Sequence, residues 1–264
     1  MNKIEKKFKE LKEKGRKAFI AYLTCGDPDL KTTKELIKVL CKNGVDLIEL
    51  GVPFSDPLAD GPTIQAASQR ALSNHISLKS IFKMAKELEA SIKVPLVMMS
   101  YYNPIFHYGI RNFVKDAKDN GIDGIIIPDL PADEAGQIEL FARKADLATI
   151  YFVAPTSDEA RIKTAVSHSK GFIYYVSLTG VTGSRKSLPS QIKKDIIRIK
   201  SFTKKPVCVG FGISCAKQAK DIAAYADGII VGSAIIDKIH LAGSKKKALI
   251  DVGLLASKLA KAVH

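Results

Sequence analysis

The 264-residue sequence predicts an α/β protein: a single-domain closed (β/α)8 barrel of the TIM class over residues 1–264, with an extra helix at its N-terminus. Three observations predict it. Eight short apolar runs recur along the whole chain. They are continuous rather than alternating, as in strands buried on both faces of a parallel sheet. Helix-period segments separate them, and strict β-α alternation at a length near the ~250 residues usual for this class points to closure into a barrel.

The elements follow in order. The opening MNKIEKKFKELK is a charged amphipathic helix ahead of the first strand, where a signal peptide would need an apolar segment. The strands read as AFIAYLT from Ala18, DLIEL from Asp46, VPLVMM from Val94, GIIIP from Gly124, ATIYFV from Ala148, FIYYVS from Phe172, PVCVGF from Pro206 and GIIVG from Gly228. Helical segments include Thr33 to Asn43, Leu78 to Ser91, Arg111 to Asn120, Asp133 to Ala145 and Ser190 to Phe202; the first and third stop before Gly44 and Gly121. No linker or composition shift interrupts the run.

With 46% hydrophobic and 26% charged residues the composition is that of a globular protein, and no apolar run approaches the ~20 residues of a membrane helix. A cytoplasmic address is expected. The four cysteines (Cys25, Cys41, Cys208, Cys215) form no CxxC pair and are expected as reduced thiols. The net charge of +14 raises nucleic acid as a partner. However, lysines such as Lys34, Lys38, Lys83, Lys86, Lys115, Lys118, Lys193 and Lys194 are interleaved with acidic residues on helical faces, without an aromatic nucleic-acid motif. No nucleic-acid partner is therefore expected.

In such barrels the chemistry lies at the C-terminal ends of the strands. The second strand ends in Glu49, and Asp60 follows in the loop Gly51 to Thr63. A carboxyl at the end of an apolar strand is partly desolvated, which raises its pKa towards the range of proton transfer; Asp60, in a polar turn, is expected to stay ionised. Two carboxylates in contrasting environments suit an acid/base pair. The alternative is a Glu salt-bridged to a barrel lysine and an Asp that only caps a turn. Late in the chain, Gly180-Val181-Thr182-Gly183, Gly210-Phe211-Gly212 and Gly232-Ser233 end three strands, and a helix opening at Ser233 would aim its positive end at an anion. Together they suit a phosphate; tight turns are the other reading. A Schiff-base lysine at a strand end is missing, since Lys93 and Lys170 precede their strands. His75, His107, His168, His240 and His264 are scattered, so no metal site is expected. Carboxylate acid/base work on a phosphorylated small molecule remains.

The run DLIELGVPFSDPLADGPTIQ, Asp46 to Gln65, resembles the signature of the tryptophan synthase α subunit family. LTCGDP from Leu23, SYYNP from Ser100, IIPDLP from Ile126, GVTG from Gly180, GFGIS from Gly210 and VGSAI from Val231 follow in family order. The resemblance implies a lyase of tryptophan biosynthesis that cleaves indole-3-glycerol phosphate by a retro-aldol reaction to indole and glyceraldehyde 3-phosphate. It implies Glu49 as proton shuttle and Asp60 as partner of the indole N–H. Tyr22, Met99, Tyr101, Tyr174 and Phe211 would line the indole pocket, and Gly183, Gly212, Gly232 and Ser233 would hold the phosphate. It also implies a pyridoxal-phosphate-dependent β subunit, in an allosteric α2β2 heterotetramer, that faces Asp56, Pro57, Asn103 and Pro104. No cofactor is expected in this chain, because the pyridoxal phosphate belongs to the partner.

Three positions depart from the family pattern. The lid loop bearing Thr182, Ser184 and Arg185 is about two residues short between Gly183 and Pro189 (SRKSL), Leu178 stands where some members have a bracing arginine, and Tyr22 replaces a frequent phenylalanine. Reduced turnover is one expectation from these changes, and a catalytically weak subunit that mainly activates the β subunit is the alternative.

Overall fold

The computed structural model describes residues 1–176, 190–210 and 212–264, and of Ser190 only the backbone. The strands are β1 (Ala18–Thr24), β2 (Leu47–Gly51), β3 (Leu96–Met99), β4 (Gly124–Ile126), β5 (Ala148–Ile150), β6 (Phe152–Val153), β7 (Ile173–Val176), β8 (Val207–Gly210) and β9 (Gly228–Val231). All pair in parallel in one sheet of order β5-β4-β3-β2-β1-β9-β8-β7-β6. The barrel is as expected, with one correction. The run ATIYFV is two strands, because the Tyr151 amide donates to Ser169 Oγ (3.1 Å) instead of to a neighbouring strand. The first half pairs with β4 and the second with β7, so Tyr151 is the seam that brings the sheet round on itself.

Alternate residues of each strand serve two cores, which is why the runs are apolar throughout. Phe19, Ala21, Leu23, Ile48, Leu50 and Met98 face the helices; Ala18, Ile20, Leu47, Val97, Ile126, Ile150 and Ile230 fill the barrel. The helix α1 (Lys3–Glu13) adds Ile4, Phe8 and Leu11 to that inner core and closes the N-terminal end of the barrel. A Cβ at Gly124 would lie 2.8 Å from Ile4 Cδ1, so a side chain there would crowd the plug. Asn2 caps α1 and reaches the carbonyls of Asp123 (2.9 Å) and Asp146 (2.8 Å). On the same rim Asp46, Asp123 and Asp227 accept the amides of Phe19, Leu96 and Val207, groups at strand starts that would otherwise lack partners.

The helices are α2 (Leu30–Lys42), α3 (Pro62–Leu72), α4 (Leu78–Glu89), α5 (Tyr102–Tyr108), α6 (Ile110–Asp119), α7 (Gly136–Lys144), α8 (Glu159–His168), α9 (Ser190–Phe202), α10 (Ala216–Ala223), α11 (Ser233–Leu241) and α12 (Lys245–Val263). Two differ from expectation at their starts. α2 begins earlier because Asp29 caps it, accepting the Thr32 amide at 2.7 Å. α7 begins later because residues 131–135 form a turn, with Glu134 N–H on Pro131 O. Among the described residues no helix is long and apolar enough to cross a membrane. With α1 sealing one end, the open end of the barrel carries the C-termini of the strands.

Candidate active site

Glu49 follows Leu47 on the inner face of β2, in register with Tyr22 of β1 and Val97 of β3. It is 0% exposed, and neither carboxylate oxygen has a hydrogen-bond partner among the described residues. The salt-bridged alternative therefore does not hold. Burial, and secondarily the nearby Asp60, push the Glu49 carboxyl up to about 8. At neutral pH it carries a proton, the state a general acid needs.

Asp60 lies just ahead of α3. Its carbonyl accepts Gln65 Nε2 at 2.8 Å, its amide donates to Pro57 O at 3.0 Å, and its Oδ2 accepts the Tyr101 hydroxyl at 3.2 Å. The polar turn is more enclosed than its sequence implies: burial raises Asp60 to about 6, with the Tyr101 hydrogen bond opposing the rise. It is still predominantly ionised at pH 7. The pair thus offers one protonated and one charged carboxyl at the same pH.

The aromatic residues surround this pair. Tyr22 is buried over Gly51 and Gly232; a Cβ at Gly51 would overlap its hydroxyl, and one at Gly232 would lie 3.3 Å from its ring. Thr24 Oγ1 donates to the Tyr22 hydroxyl at 3.4 Å. Tyr174 occupies the space that glycine leaves at Gly210, where a Cβ would meet its ring at 2.6 Å. Met99 lies on the same inner face of the barrel. Tyr101 stacks on Phe54 (centroids 5.3 Å apart), and its hydroxyl also accepts the Ala59 amide at 2.9 Å. It thereby ties the loop after β2 to the end of β3. Sequence reasoning assigned Tyr101 to the pocket and missed this contact with Asp60. It also missed Phe152, whose ring meets Tyr174 edge-on at 4.7 Å; the period-two series Ala148, Ile150, Phe152 was the signal.

Of the expected phosphate residues, Gly212 has φ +39, and a Cβ there would meet none of the described residues within 4 Å. Gly232 caps α11, which opens at Ser233 with no side-chain cap among the described residues. Gly183, Phe211, Leu178 and the lid residues Thr182, Ser184 and Arg185 lie outside the described residues. Two of the histidines are engaged in pairs away from the carboxyls: His168 bonds Glu139, and His264 bonds Asp46 on the rim at the strand starts. Among the described residues no three His, Cys, Asp or Glu side chains gather as a metal site requires.

Replacing Tyr101 by Phe is expected to move the acidic limb of the kcat/KM profile to higher pH. The lost hydroxyl no longer favours the charged form of Asp60, so its pKa climbs above about 6. An unchanged limb in steady-state assays across pH 5–8 would separate Asp60 from that limb.

Comparison with known proteins matches residues 8–264 to the family model described as tryptophan synthase alpha chain. The chain is 47% identical over 259 residues to the tryptophan synthase alpha chain of Thermoanaerobacter sp. (strain X514), covering 98% of both sequences. It is 46% identical over 246 residues to that of Geotalea daltonii, covering 93% of each. Among solved structures, tryptophan synthase subunit alpha of Legionella pneumophila str. Paris superposes with TM-score 0.93 at 37% identity, covering 100% of this chain and 98% of that one. An aminoacrylate-bound tryptophan synthase of M. tuberculosis gives 0.90 at 32%, covering 100% of both. The barrel, the two carboxyls at its mouth and these matches along the full length agree: the chain belongs to the tryptophan synthase alpha chain family, whose reaction is the cleavage of indole-3-glycerol phosphate.

Proposed function

We propose that Glu49 and Asp60 carry out the family's lyase reaction in this chain, acting in the cytoplasm as one barrel domain. The observation that carries the reading is Glu49, a fully buried carboxyl without a partner among the described residues, raised to about 8. Protonated Glu49 gives its proton to C3 of the indole ring, and the positive charge that develops on the ring is met by ionised Asp60 at the N–H. Glu49, now a carboxylate, takes the proton of the side-chain hydroxyl adjacent to C3. The hydroxyl carbon becomes the aldehyde of glyceraldehyde 3-phosphate, and the electrons of the broken carbon–carbon bond return to the ring as indole. Each cycle ends with Glu49 protonated again.

Tyr22, Met99, Tyr101 and Tyr174, with Phe211 by family resemblance, form the indole pocket. Gly212, Gly232 and Ser233, with Gly183, hold the phosphate; the start of α11 supports this, because no described side chain caps it and its positive dipole end suits an anion. Gly212→Leu is expected to weaken glycerol 3-phosphate binding tenfold or more, since a leucine side chain would fill the space over the mouth. Unchanged affinity by calorimetry would locate the phosphate elsewhere.

The β subunit docks on the loops beside the mouth. Asp56 is exposed in the loop after β2, which Pro57 stiffens; Asn103 and Pro104, expected in a loop, lie in the first turn of α5, where Asn103 is exposed; Leu58 (93% exposed) and Phe106 (63%) present apolar surface to a partner. The pyridoxal phosphate of the second half-reaction belongs to that subunit, in an α2β2 complex. A subunit kept only to activate its partner is not favoured, because both carboxyls are intact. Indole release from indole-3-glycerol phosphate by the purified chain, alone and with its β subunit, tests the reading; no release in either case would refute it.

A further inference from the structure

Arg70 on α3 and Asp27 in the turn after β1 take no part in the chemistry above, yet they are joined by a two-pronged ion pair. Arg70 Nε donates to Asp27 Oδ1 at 2.8 Å and Nη2 to Oδ2 at 2.7 Å. Asp27 is buried, whereas Arg70 reaches it from a partly exposed position. Two parallel bonds to a planar guanidinium fix orientation as well as distance. Asn74, just beyond the end of α3, holds the same turn: its Nδ2 donates to the carbonyls of Gly26 (3.2 Å) and Pro28 (2.5 Å). Ile76 packs over Gly26, where any Cβ would overlap it. The C-terminal end of α3 is thus clamped to the end of β1.

The other end of α3 carries Asp60. The amides of Ile64 and Gln65 both reach Gly61 O at 3.0 Å, and Gln65 Nε2 grips the Asp60 carbonyl, so the Asp60 peptide moves with the first helical turn. The buried face of α3 is Ala67, Ser68 and Ala71, and its N-cap, Gly61, offers no side-chain bond. Small side chains let the helix lie close to the barrel, but they provide no large ridges to stop it sliding or turning about its axis. Beyond the first turn, the carboxylate itself has one described restraint, the 3.2 Å bond from Tyr101.

We propose that Arg70 is a positioning residue for Asp60: its ion pair with Asp27 fixes the axial position of α3, and through it the reach of the Asp60 carboxylate to the indole N–H. The inference rests on the reading of Asp60 given above. A rigid helix of 11 residues transmits a shift at one end to the other over ~16 Å. A misplacement of about 1 Å at a reacting group costs on the order of 10²-fold in rate.

Calorimetry on the full chain tests this with two probes. Indole-3-propanol phosphate presents both the ring N–H and the phosphate, whereas glycerol 3-phosphate presents the phosphate alone. Asp60→Ala is expected to weaken the indole probe about tenfold. Arg70→Met is expected to weaken it by a similar factor while leaving glycerol 3-phosphate within twofold. The double variant is expected to lose no more than either single one, because both act through one contact. Arg70→Lys keeps the charge but not the two-pronged geometry, and should show a smaller loss confined to the indole probe. Losses that multiply to about a hundredfold in the double variant, or a parallel loss of glycerol 3-phosphate, would overturn the proposal. If Asp60→Ala leaves the indole probe unaffected, the role given to Asp60 fails and the inference with it; if Asp60→Ala weakens it and Arg70→Met does not, the clamp alone fails. Should Arg70→Met not fold by circular dichroism, Arg70→Lys decides by the same two probes.

Discussion

Glu49→Gln is expected to lower the rate of indole formation by about 10²–10⁴-fold, the usual cost of deleting a general acid/base. The side chain is fully buried and no described group bonds its carboxylate, so an amide of nearly the same shape fits without disturbing neighbours. It cannot, however, deliver a proton to C3 or accept one from the hydroxyl. Glycerol 3-phosphate affinity should stay within twofold of the parent. Activity above a tenth of the parent would assign the proton transfer to another residue.

The same substitution should stabilise the fold in alkaline solution. In the folded chain Glu49 holds its proton up to about pH 8, against an ordinary value of 4.5. Because the folded-state value is raised, its contribution to stability is fully present below about 4.5 and is lost as pH rises through about 8. Above that range the parent must bury a carboxylate that no described charge compensates. Glu49→Gln removes the penalty, with a gain on the order of 3–5 kcal/mol at pH 9, since each pKa unit is worth ~1.4 kcal/mol. At pH 4 no such gain is expected. Denaturant unfolding of both proteins at the two pH values decides it, and equal differences at each would refute the assignment.

Both results turn on a residue that was legible in the sequence as a carboxyl ending an apolar strand. Its isolation was not legible, because the sequence contains many lysines and only the fold shows that no described one reaches the Glu49 carboxylate. Asp60 shows the converse. Its local sequence, between Ala59 and Gly61, reads as a solvated turn, whereas the fold brings Tyr101 from another strand end to its carboxylate and raises its pKa by burial.

The barrel itself could be read from a one-dimensional pattern, because strand and helix periods are local and the double burial of every strand leaves continuous apolar runs. The split at Tyr151 escaped that pattern: Ser169, which takes its amide, lies 18 positions along the chain. Contacts of that separation leave no periodic trace. The same holds for Arg70 on Asp27, 43 residues apart, and for the glycines at 51 and 210 that make room for Tyr22 and Tyr174. By itself the sequence determined the fold class, the family signature and the identity of the two carboxyls, since each is written in contiguous residues or a fixed period. Only the tertiary structure decided their protonation states, the contact that orients Asp60 and the seam of the barrel, because desolvation and hydrogen bonding depend on which distant side chains closure of the sheet brings together.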